Sequence, residues 1–260
     1  MQKLRKNDRV VLGEYISYKA KDGGINTDEL WWIPLYCTTT RALLTTRDAI
    51  GYNKSYMRWT NNEIRSWLNT AFLSEAFNEK EREIIFHTKI IGNEYSSWTH
   101  SVNKEFDVDL YDRVFLLSES DVYNYLSSYL NESFEYDELR QASATSFAKQ
   151  QGVPYFYLNQ YERGRRQFRA YGHLYPMDGK CTWGLRDSMR CIDHTGHFVY
   201  GTDRGYGVRP AIWVDMKMCK QKRDENYFYP NGDLVTFVDL EGNPYRQEII
   251  DEVDETDLPF

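Results

Sequence analysis

Residues 181–213, CTWGLRDSMRCIDHTGHFVYGTDRGYGVRPAIW, decide how the rest of the chain is read. Two apolar ends, Trp183 and Leu185 on one side and Val208, Ala211, Ile212 and Trp213 on the other, enclose large polar and aromatic residues. Glycines at 184, 196, 201, 205 and 207 punctuate the run as turns between short strands. The ends are core-type and predict a frame. Between them, Ser188, Arg190, Asp193, His194, His197, Tyr200, Asp203, Arg204 and Tyr206, with Asp187 beside them, form a candidate ligand-binding surface. Tyr, Arg and His suit that role because they offer large contact area with few rotors to freeze per hydrogen bond.

Working outward, 260 residues suffice for one large domain or two small ones, either with a real core. The 21 tyrosines and 7 tryptophans predict β-rich structure, since aromatic rings fit pleated, half-buried surfaces. A net charge of −7 argues against attraction to nucleic acid or anionic membranes. The one basic cluster, RGRRQFR at 163–169, reads as a solvated loop in that context. DEVDETDLPF, the last ten residues, reads as a solvated acidic tail. The opening MQKLRKNDRVVLGEY lacks a signal-peptide apolar run, and no segment has the length of a membrane span, so a cytoplasmic location is expected. Cys37, Cys181, Cys191 and Cys219 are scattered, with no CxxC pair, and read as free thiols.

Strands are predicted at 9–18, 30–36 and 42–46, with a turn at Gly23 and Gly24 and with Pro34 marking a sheet edge or bulge. TNNEIRSWLN at 60–69 places Thr60 as N-cap with Glu63 three residues on, the capping-box spacing. Ile64, Trp67, Leu68 and Phe72 then line one helical face. Asn78 with Glu81 and Ser118 with Asp121 repeat that spacing, the second after a buried strand, DRVFLLS at 112–118. SATSFAKQQG at 143–152 predicts a short helix ended by Gly152, and VPYFYLNQY at 153–161 an extended segment. NYFYPNGDLVTFVDLEGNPY at 226–245 reads as a hairpin or meander. The expectation is an α+β domain over 1–216, followed by a C-terminal β-hairpin extension with the acidic tail over 217–260.

Four motifs in order, NNEIRSWLNTAFLSEAF at 61–77, DRVFLLSESDV at 112–122, WGLRD at 183–187 and GVRPAIWV at 207–214, resemble the bacterial family DUF6273 over roughly residues 7–216. The resemblance implies a C-type-lectin-like fold in its formylglycine-generating-enzyme-like version: short strands, two or three helices and much irregular loop. It also implies a link to the variable proteins of diversity-generating retroelements. Their rewritten codons fall between a tryptophan/leucine/arginine segment and a glycine/arginine/proline segment, here Trp183 to Arg186 and Gly207 to Pro210. About fifty residues follow the closing motif, whereas variable regions usually lie nearer the chain end.

Formylglycine-generating enzymes use a cysteine pair, with copper in the aerobic forms, which would make Cys181 and Cys191 the candidates here. Their spacing matches no motif of that group, and reactivity would need a lowered thiol pKa. Asp193, His194 and His197 could form a metal trio, but Gly196 and the turn-rich context favour polar presentation. The calcium-site tripeptides of sugar-binding lectins are missing, as are GxSxG, HExxH, P-loop and dinucleotide motifs. Arg186 and Arg209 sit inside apolar motifs and read as structural guanidinium groups, and Trp67 and Trp213 as core. The leading expectation is a non-catalytic recognition module without cofactor, its partner a protein. A thiol-modifying enzyme or a structural part of a larger assembly are the alternatives.

Overall fold

The computed structural model describes residues 4–5, 7–54, 59, 63–90, 93–96, 101–104, 110–126, 140–155, 180–186, 190–200, 205–229 and 232–246. The strands in chain order are β1 (Arg9–Lys19), β2 (Ile25–Cys37), β3 (Arg41–Thr46), β4 (Gly51–Asn53), β5 (Thr88–Ile90), β6 (Asn93–Ser96), β7 (Ser101–Lys104), β8 (Leu110–Asp112) and β9 (Val114–Leu116). They continue as β10 (Ala142–Ser143), β11 (Lys180–Cys181), β12 (Trp183–Gly184), β13 (Arg190–Ile192), β14 (Phe198–Tyr200), β15 (Tyr206–Val208), β16 (Pro210–Asp215), β17 (Lys220–Tyr229) and β18 (Gly232–Val238). Helix α1 (Glu63–Trp67) runs through a π-helical segment (Leu68–Phe72) into α2 (Leu73–Ala76), and α3 (Glu79–Glu83), α4 (Glu119–Tyr125) and α5 (Ser146–Gln151) follow. The fold is mixed α+β, rich in strands and poor in helices.

A seven-stranded sheet has the order β17-β18-β1-β2-β3-β16-β9, and a five-stranded sheet the order β14-β13-β12-β15-β4. Two chain runs pass side by side between them. β3 pairs antiparallel with β16 in the larger sheet, and β4 pairs antiparallel with β15 in the smaller one. At the crossing, Thr45 Oγ1 donates to the Pro210 carbonyl at 3.0 Å and Ile50 N–H to the Val208 carbonyl at 2.9 Å.

Strand alternation explains which side chains are buried. In β2, Leu30, Trp32 and Pro34 point inward, then a register shift between Pro34 and Tyr36 changes the phase so that Leu35 and Cys37 are buried instead. Pro34 lies at a bulge, the register of β2 against β3 shifting between Pro34 and Tyr36. Trp32 is fully buried, its indole donating to the Leu12 carbonyl at 2.8 Å, and it packs with Phe72, Phe77, Leu68 and Trp59 in the main core. Trp67 and Trp213, expected in the core, are half-buried at its margin.

The helix starts follow the sequence at the two described capping boxes. Asn78 Oδ1 accepts from Glu81 N–H at 2.9 Å while Glu81 returns the bond to Asn78 N–H, and Ser118 and Asp121 repeat the exchange at 3.0 Å each way. Thr60, the third predicted cap, lies outside the described residues, as do the RGRRQFR cluster, the acidic tail and all of VPYFYLNQY after Tyr155. Helix α5 ends at Gly152 with φ 110°, the left-handed position glycine tolerates.

The C-terminal hairpin forms as β17 and β18, but it is not set apart. β18 pairs parallel with β1, with Val10 opposite Val235, so the predicted extension completes one edge of the main sheet. Asp8, fully buried, accepts from the backbone N–H groups of Arg5 and Asp233 and pairs with Arg223 at 3.0 Å, joining the segment before β1 to β17 and β18.

Candidate functional site

The segment 181–213 builds the smaller sheet from the inside out. Trp183 lies opposite Ile192 and Gly184 opposite Cys191, and β12 also runs parallel to β15 with Trp183 beside Gly207. Trp183 is fully buried, its indole N–H donating to the Arg140 carbonyl at 2.8 Å. Arg140, itself 1% exposed, holds its guanidinium 4.7 Å from the Phe198 ring centroid on β14. The turn end of the β13–β14 hairpin is therefore locked to the core by a buried indole and a buried guanidinium. Arg140 was not singled out in the sequence, and no spacing signal pointed to it.

Arg186 behaves as expected of a structural cation. Its backbone N–H donates to Leu117 and its Nη1 to the Leu116 carbonyl at 3.2 Å, with the capping acid Asp121 at 3.4 Å. It thus ties the smaller sheet to β9 and the start of α4.

The hairpin turn organises itself around one carboxylate. Asp193 Oδ1 accepts from Thr195 N–H at 2.9 Å, Thr195 Oγ1 at 2.6 Å and His197 N–H at 3.0 Å, and Thr195 Oγ1 contacts His197 Nδ1 at 2.7 Å. The backbone closes the loop, with Asp193 N–H donating to the His197 carbonyl at 2.9 Å. Gln141 braces it from outside through the Thr195 carbonyl at 3.3 Å. Asp193 is therefore a turn-former, and the half-exposed His194 and His197 are what the turn presents.

The other predicted contact residues separate into three groups. Arg190 and Tyr200 stand opposite one another at the far end of the hairpin. Ser188, Asp203 and Arg204, with Asp187, lie outside the described residues. Tyr206 is a correction: it is 2% exposed, in a strand whose three residues are all buried. Its hydroxyl accepts from Asn53 Nδ2 at 2.7 Å, its ring covers Gly184, and burial pushes its phenol pKa upward. The aromatic-polar character that suggested contact serves packing plus one internal hydrogen bond.

All four cysteines are free and buried. Burial pushes the thiols of Cys181 and Cys219 up to about 12, so both stay protonated at neutral pH. Among the described residues, no three His, Cys, Asp or Glu side chains are grouped to hold a metal ion. No helix there is long and apolar enough to cross a membrane.

Two clefts went unnoticed in the sequence, because residues far apart in the chain form them. One, of about 570 Å³, is lined by Arg65, Asn69, His87, Tyr111, Asp112 and Arg113. Its buried acid is already engaged: Asp112 accepts from the Trp59 indole at 2.8 Å and from Arg65 at 2.9 Å. The other, of about 440 Å³, lies between β1, β2 and the 46–50 crossing, where Arg47 stacks 4.9 Å from the Trp31 centroid and pairs with Asp48 at 2.8 Å.

Fold and site together define a strand-rich α+β domain whose smaller sheet carries a hairpin turn ordered by its own Asp193. The chain belongs to the domain family of unknown function DUF6273, whose family model matches residues 39–216. No curated protein and no solved structure matches the chain. The matched span holds the whole smaller sheet and β3, β16 and β9, and leaves out the adjacent strands β17, β18, β1 and β2.

Proposed function

We propose that this domain is a non-catalytic recognition module of C-type-lectin-like, formylglycine-generating-enzyme-like architecture, binding a protein through the 190–200 hairpin and the loops beside it. The observation that carries the proposal is the contrast within the hairpin. The strand pair next to its turn is fixed by Trp183, Ile192 and Arg140, all at most 1% exposed, while the turn holds its own shape through Asp193 and leaves His194 and His197 half-exposed. A binding loop held in advance loses less conformational freedom on association. Burial of all four thiols weighs against a thiol-oxidising activity.

In its finer form the proposal makes this segment one that a diversity-generating retroelement rewrites. Support comes from the bounds: Trp183 and Arg186 on one side and Val208 and Arg209 on the other are buried frame residues. A near-copy of the codons for 181–213 differing at adenines, beside a reverse transcriptase gene, is the expected genomic finding; its absence defeats this finer form alone.

The binding proposal is tested by comparing immobilised wild type with a His194→Ala, His197→Ala, Arg204→Ala variant for retention of proteins from the native cell. The expected result is a partner held at least about tenfold more weakly by the variant, a loss of about 1.4 kcal/mol, at unchanged melting temperature. Equal retention by both proteins defeats the assignment of this surface.

A further inference from the structure

Where the two chain runs cross between the sheets, a buried guanidinium is only partly hydrogen-bonded among the described residues. Arg209 is 0% exposed, and its Nε donates to the Thr46 carbonyl at 2.7 Å. Among the described residues, its buried Nη1 and Nη2 find no hydrogen-bond acceptor, and the buried hydroxyl of Thr46, whose carbonyl takes the Nε bond, finds no hydrogen-bond partner. These three polar atoms belong to two residues joined by the Nε–carbonyl hydrogen bond, and buried polar groups in native proteins find partners.

The charge at that locus is also unbalanced. The carboxylate acting on Arg209 is Asp48, which is already paired with Arg47 at 2.8 Å, while Arg9 adds a like charge. Arg209 lies 4.9 Å from the Trp183 centroid, and a cation–π contact offsets only part of the cost of removing a guanidinium from water. Burial lowers its pKa to about 10, which leaves it charged at neutral pH.

We propose that Arg209 and Thr46 form an internal binding site for a small inorganic anion, held between the two guanidinium NH2 groups and the threonine hydroxyl at the crossing of the sheets. Water would satisfy the donors but not the charge; an anion satisfies both. The site accounts for an arginine inside an otherwise apolar motif, and it would make the junction of the sheets sensitive to anion supply.

Chloride is the probe. The intact protein, equilibrated in gluconate, is titrated with chloride at constant ionic strength while melting temperature and chloride NMR line width are followed. The wild type is expected to show a saturable rise in melting temperature and excess line broadening, and Thr46→Val to weaken both by about tenfold while still folding. A bromide-exchanged crystal should place an anomalous peak between Arg209 and Thr46. No saturable response in the wild type, an identical response in Thr46→Val, or ordered water alone at that position overturns the proposal.

Discussion

Asn53 Nδ2 donates a 2.7 Å hydrogen bond to Tyr206 Oη, across a strand pairing in which these two residues stand directly opposite each other. Both are buried, so the bond is an internal clamp between β4 and β15. It fixes the side of the smaller sheet that adjoins the crossing from the larger one. Tyr206→Phe is expected to cost about 1–3 kcal/mol, because the Asn53 amide loses a buried acceptor. Tyr206→Ala, which also empties a ring-sized space, should cost about 3–5 kcal/mol. Urea unfolding of the two variants measures both; a neutral Tyr206→Ala would return Tyr206 to the contact surface.

Gly184 depends on the same ring. A Cβ there would overlap Cε2 and Cδ2 of Tyr206, which cannot withdraw from an interior position. Gly184→Ala should destabilise the protein by about 1–3 kcal/mol or more through overpacking. The double variant Gly184→Ala, Tyr206→Ala should be less destabilised than the sum of the singles, since the second change removes the obstacle created by the first. Additive losses would mean that the glycine is needed for another reason.

Much of this frame was legible beforehand, and the reason is local. Capping boxes at Asn78 and Ser118, the Gly152 helix stop and the runs forming β1, β2 and β3 all depend on residues within a few positions of one another. What escaped depends on pairings between distant residues. The parallel pairing of β18 with β1 joins residues more than two hundred positions apart, and no turn chemistry announces it. A tyrosine suits an exposed contact and a half-polar core position equally well, and only the packing of Tyr206 over Gly184 and beside Asn53 separates the two. Arg209 reads in the sequence as a structural guanidinium with all donors engaged, and that its Nη donors find no acceptor among the described residues is visible only when Thr46, Trp183 and Asp48 are seen around it.

Asp8 should make the joining of the segment before β1 to β17 and β18 sensitive to acid. Burial alone would raise its pKa, but the N–H groups of Arg5 and Asp233 and the charge of Arg223 outweigh that, and the net shift is downward. Its contribution is therefore present above the ordinary carboxylate range and is lost as pH falls through the lowered folded value. Asp8→Ala is expected to cost about 3 kcal/mol at neutral pH, the low end for a broken buried pair, because Arg223 keeps Asp233 at 2.9 Å. Unfolding free energies measured from neutral pH into the acid range should fall less steeply for the variant than for the wild type. Parallel curves would remove Asp8 as the responsible group.

Alkali should act in the opposite sense through the buried thiols. Cys181 is raised from 9.0 to about 12 by burial, which outweighs the favourable charge of Arg209, and Cys219 is raised to about 12 by burial with Asp215 adding to it. Between those values the unfolded chain releases protons that the folded chain retains. Stability is thus fully present below the unfolded thiol pKa and declines as pH rises toward the folded one, by about 1.4 kcal/mol per pH unit for each thiol. Tyr15, raised to about 12 by burial and by Glu75, steepens the decline above its ordinary value of 10.0. Replacing Cys181 and Cys219 by alanine should flatten the pH dependence between about 9 and 10 even where it lowers stability at neutral pH. A thiol reagent at neutral pH should label none of the four cysteines in the native protein on the timescale that labels all four in urea. Rapid native labelling of Cys181 would mean that the wall between Ala49 and Gly207 opens, and would revive a chemical role for that thiol.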